Sequence, residues 1–111
     1  WPDYRKRTIY QVYDVTKQIK AGKNALCVIL GDGWFCGYVG WLDRQFFGDR
    51  PKLFAQLRLV YSDGSEQIIA TDTSWKTSLG PILESDIMMG ERYDARREIP
   101  GWDLSDFDDS N

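Results

Sequence analysis

Histidine is absent from all 111 residues. The commonest general base, the usual base of a nucleophilic triad and the commonest zinc ligand are therefore missing together, which excludes triad hydrolysis and zinc hydrolysis. Cysteine is nearly absent too. Cys27 and Cys36 are too few for a disulfide scaffold and lack a Cys-x-x-Cys spacing. Cys27 lies in an apolar run, so it is expected as a small buried hydrophobe, without a bond to Cys36. No stretch approaches the roughly 18 apolar residues of a membrane helix, and no charged-then-apolar leader opens the chain. A membrane is not an expected partner, and the compartment stays open with a lean to the cytoplasm. An excess of positive charge is also lacking: 14 basic residues face 17 acidic ones, a formal charge of −3. Such a chain has no overall field to draw a polyanion, so nucleic acid is not an expected partner either.

Aromatic residues are abundant: 5 Trp, 6 Tyr and 5 Phe make 14% of the chain, more than a core this small hides easily, so some are expected to face a ligand or a partner. The length allows one domain. Thr8 to Tyr13 is rich in β-branched and aromatic residues and reads as a strand, and Asn24 to Leu30 is an apolar run of strand length that reads as a buried one. Between them Thr16 is expected to cap a short helical turn that Gly22 ends. Leu53, Ala55, Leu57, Leu59 and Tyr61 alternate with polar residues, Ser62-Asp63-Gly64-Ser65 is a hairpin turn, and Gln67 to Thr71 returns as the partner strand. Trp75 to Thr77 reads as a further short strand, Ile82 to Ile87 as extended, and the chain from Pro100 as mostly loop. No helical period lasts beyond two turns. The class is all-β, with an antiparallel sandwich as its expected form.

Gly31 to Pro51 is the longest irregular stretch, and its glycines are interleaved with Trp34, Phe35, Tyr38, Trp41, Phe46 and Phe47. Long aromatic-rich loops in small domains are commonly functional. Gly31-Asp32-Gly33-Trp34-Phe35-Cys36-Gly37 has the wrong spacing for a phosphate cradle, and bulky side chains stand where a pyrophosphate would approach. Two readings remain: a tight turn around a core tryptophan, or an exposed indole beside Asp32 on which a sugar stacks. Asp32, Asp49, Glu84, Asp86, Glu91 and Asp94 are the carboxylates from which a glycosidase pair or a Ca²⁺ site could be drawn, although the EF-hand pattern is absent.

With these motifs placed, the chain resembles the bacterial α-L-rhamnosidase N-terminal domain, an accessory β-sandwich of large glycoside hydrolases. The resemblance is carried in order by Trp1-Pro2-Asp3-Tyr4, Tyr10-Gln11-Val12-Tyr13-Asp14, Leu30-Gly31-Asp32-Gly33-Trp34, Gly48-Asp49-Arg50-Pro51, Ser74-Trp75-Lys76, Gly80-Pro81-Ile82-Leu83, Gly90-Glu91, Tyr93-Asp94-Ala95-Arg96 and Phe107-Asp108-Asp109. It implies a jelly-roll-like antiparallel β-sandwich over residues 1–111, a single truncated domain lacking strands that precede Trp1 in the family. A further sandwich and a helical barrel would follow it in the parent. The whole enzyme is expected to hydrolyse terminal α-L-rhamnosides with inversion through carboxylates of that barrel, so this piece is expected not to catalyse. Its implied role is carbohydrate recognition; the alternative is a structural spacer packed against the barrel. Asp32, Trp34, Asp49, Glu91 and Asp94 are the expected carbohydrate-binding residues. No cofactor is required, and Ca²⁺ is a candidate because related rhamnose-binding modules hold the sugar through one. The expected partners are L-rhamnose-containing glycosides, the remaining domains of the parent and, through unpaired strand edges, a second copy of the piece.

Overall fold

Two antiparallel hairpins supply the regular strands of the computed structural model, which describes residues 2–110. Trp1, the head of the motif series, lies outside the described residues. The first hairpin pairs β1 (Gln56–Val60) with β2 (Glu66–Ala70), Leu57 opposite Ile69 and Leu59 opposite Gln67. Its turn is the expected one. Gly64 adopts φ +82°, Asp63 accepts bonds from the Ser65 amide and hydroxyl, and the Tyr61 amide donates to the Ser65 carbonyl at 2.9 Å. Along β1 the side chains alternate, Leu57 and Leu59 half-buried and Gln56, Arg58 and Val60 exposed, as the period of two predicts. β2 is exposed at every position, so this hairpin has one half-covered strand and one bare one.

The second hairpin pairs β3 (Ile82–Asp86) with β4 (Gly90–Tyr93), with a register shift between Ile82 and Glu84. A short helix, α1 (Gly33–Cys36), packs against β3, and a 3₁₀ turn over Ala95–Arg97 follows β4. The class is all-β and antiparallel, with little helix.

Five local expectations are corrected. Thr8–Tyr13 and Asn24–Leu30 are not paired strands, because no ladder of backbone hydrogen bonds reaches either segment, and an extended chain without a partner is not a sheet. Neither is buried: Ile9, Tyr10, Val12 and Tyr13 are 65–84% exposed. The turn between them is capped by Asp14, whose carboxylate accepts the Thr16 amide at 2.9 Å, and not by Thr16 itself. Trp75–Thr77 forms no strand, because Asp72 captures the Ser74 amide and hydroxyl and bends the chain there. Cys27 is exposed, while Cys36 is 1% exposed and is the buried hydrophobic side chain of the described residues; both thiols are free.

The radius of gyration is 16.9 Å, where a compact chain of this length would have about 13 Å. The accessible surface is 9810 Å², against about 6,300 Å² for an ordinary folded monomer of 12.9 kDa. Roughly 3,500 Å² is therefore surface that a self-sufficient domain would have covered.

Candidate functional site

Long-range side-chain contacts concentrate where the Gly31–Asp49 loop meets the second hairpin. Asp32 precedes α1, and its Oδ2 accepts bonds from Arg44 Nη2 at 3.0 Å and from the Ser85 amide at 3.4 Å, while its Oδ1 faces the Cys36 thiol at 3.2 Å. Arg44 extends its other terminal nitrogen to Glu84 at 3.2 Å, and Glu84 also meets Arg92 at 3.4 Å. One arginine thus ties a loop carboxylate to a strand carboxylate. The Arg44 Nε is buried without a hydrogen-bond partner among the described residues, and the guanidinium lies 5.9 Å from the centre of the Tyr38 ring. Burial, and after it the adjacent Asp32 carboxylate, pushes the Cys36 thiol up to about 12, so it stays protonated and donates.

Asp86, the last residue of β3, is the second clasp. Its Oδ1 accepts the Met88 and Met89 amides, each at 2.8 Å, and its Oδ2 accepts the Tyr38 amide at 3.3 Å. Burial alone would raise the Asp86 pKa, but these three donors outweigh it and hold the carboxyl below its usual range. The contact is close enough to require a glycine: a Cβ on Gly37 would come within 2.4 Å of both the Asp86 Cβ and the Gly33 carbonyl oxygen. On the outer side of the loop Tyr4, Phe35, Phe46 and Phe47 pack edge to face at 4.9–5.5 Å, with Arg5 5.4 Å above Phe46. Gly48 lies against Phe35.

Two grooves share the β3–β4 turn as a wall. The first, about 480 Å³, is lined by Gly31, Gly33, Trp34, Ser85, Asp86 and Ile87. The second, about 510 Å³, is lined by Tyr38, Trp41, Leu42, Asp43, Met88 and Met89, with Gly40 at the bend of the loop.

Of the five residues expected to bind carbohydrate, the structure brings Asp32 and Trp34 together at the first groove, Trp34 half-buried. Glu91 stands on β4 opposite Ser85, exposed, one ladder step from the Asp32 clasp. Asp94 caps the 3₁₀ turn and holds Arg96 in a two-pronged pair at 2.8 Å. Asp49 is exposed beside Arg50. No group of three or more His, Cys, Asp or Glu is arranged for a metal ion among the described residues, and no helix there is long and apolar enough to cross a membrane.

Sequence reasoning missed Arg44, the backbone role of Asp86 and the prominence of Trp41. A signal existed for the first: Arg44 is the only cation between Gly31 and Asp49, so the carboxylates there had one charge to share. Asp86 carried no such mark, because its partners are main-chain amides.

Comparison with known proteins bears on the family and the fold. A family model described as the α-L-rhamnosidase N-terminal domain matches residues 1–111. An α-L-rhamnosidase of Streptomyces avermitilis is 45% identical over 109 residues, covering 98% of this chain and 11% of the relative, and one of Formosa agariphila is 41% identical over 111 residues, covering 97% and 12%. The crystal structure of the S. avermitilis α-L-rhamnosidase complexed with L-rhamnose superposes with a TM-score of 0.87 at 40% identity, over 98% of this chain and 11% of that one. The chain spans about a ninth of the length of these relatives. With the match running over every residue and the fold alike, the chain belongs to the α-L-rhamnosidase N-terminal domain family.

Proposed function

We propose that this chain serves an α-L-rhamnosidase as a non-catalytic accessory domain that assists recognition of L-rhamnose-containing glycosides, the enzyme as a whole cleaving terminal α-L-rhamnosides. The observation that carries the reading is the 45% identity over 98% of the chain to a rhamnosidase of which it matches only 11%. The local chemistry supports it: the carboxylates of Asp32, Glu84 and Asp86 are engaged by Arg44, Arg92 and backbone amides, so they hold loops in place. Incubation of the purified chain with an aryl α-L-rhamnoside is expected to give no turnover. Hydrolysis that survives stringent purification and vanishes in Glu91→Gln or Asp94→Asn would overturn the non-catalytic half. Calorimetric titration with L-rhamnose, with and without Ca²⁺, is expected to give binding heat and to reveal whether the candidate ion takes part.

A second reading, a spacer that packs against the rest of the enzyme, is favoured by the surplus of roughly 3,500 Å² of exposed surface over an ordinary monomer. Obligate interfaces bury areas of that order. An isolated chain would cover the same surface with a second copy of itself. Rhamnose heat separates recognition from a pure spacer role.

A further inference from the structure

We draw no further inference here: the strongest candidate, the apolar surface that residues 8–13 and 24–30 leave in water, carries nothing because nothing in the structure shows what covers it.

Discussion

The half of the molecule built on Gly31–Asp49 and the second hairpin differs from the half built on Thr8–Leu30 in how it is held. In the first, Asp32, Arg44, Glu84 and Asp86 join residues 12 to 53 positions apart, and an aromatic cluster backs the loop. In the second, the contacts within Asp14–Thr16 and Lys20–Asn24 are local, and the apolar side chains face water. The contrast teaches that one half carries its own long-range closure, whereas the other has strand-like sequence and no sheet. Strand propensity is a preference for a pleated surface with neighbours, and it goes unexpressed where the neighbours are missing.

The hardest blow to the clasped half is Gly37→Ala. The added Cβ would meet the Asp86 Cβ and the Gly33 carbonyl oxygen, each at 2.4 Å, and the backbone oxygen cannot rotate away. Overpacking of this kind costs about 3 kcal/mol, so urea denaturation of that half is expected to shift to markedly lower midpoint. An unchanged midpoint would mean that the clasp is dispensable and the two halves are more alike than they look.

The bare half is tested by its appetite for partners. Light scattering over a dilution series is expected to show association of the isolated chain, and the Tyr10→Lys, Val12→Lys double variant is expected to shift it toward monomer, because like charges on an open strand repel. A strictly monomeric wild type at high concentration would show that the exposed surface of Ile9 to Tyr13 is tolerated in water.

A smaller effect sharpens the comparison through pH. The Asp86 carboxyl is held below its unfolded value near 3.8, so its contribution is fully present above about pH 4 and is lost as pH falls through the lower folded value. Near-ultraviolet circular dichroism, which reports how tightly the aromatic rings are packed, is expected to fade below pH 4 in wild type and to be flatter across that range in Asp86→Asn. Equal acid sensitivity of the two proteins would place the titrating group elsewhere.

From the sequence alone, the hairpin at Ser62–Ser65, the inward set Leu53, Ala55, Leu57 and Leu59 (but not Tyr61, which the period of two included and the structure leaves exposed), the all-β class and the family were legible, because each is written in local period, turn chemistry or motif order. Only the tertiary structure decided that Asp32 answers to Arg44, that Asp86 serves three backbone amides, and that Trp34 is half-buried while Trp41 stands in water. Those outcomes depend on which segments meet across tens of residues, and a carboxylate or an indole carries the same local signature whether it closes a fold or faces a ligand. The same reason explains Thr8–Tyr13 and Asn24–Leu30: propensity fixes an extended backbone, but a strand's hydrogen bonds belong to its neighbour.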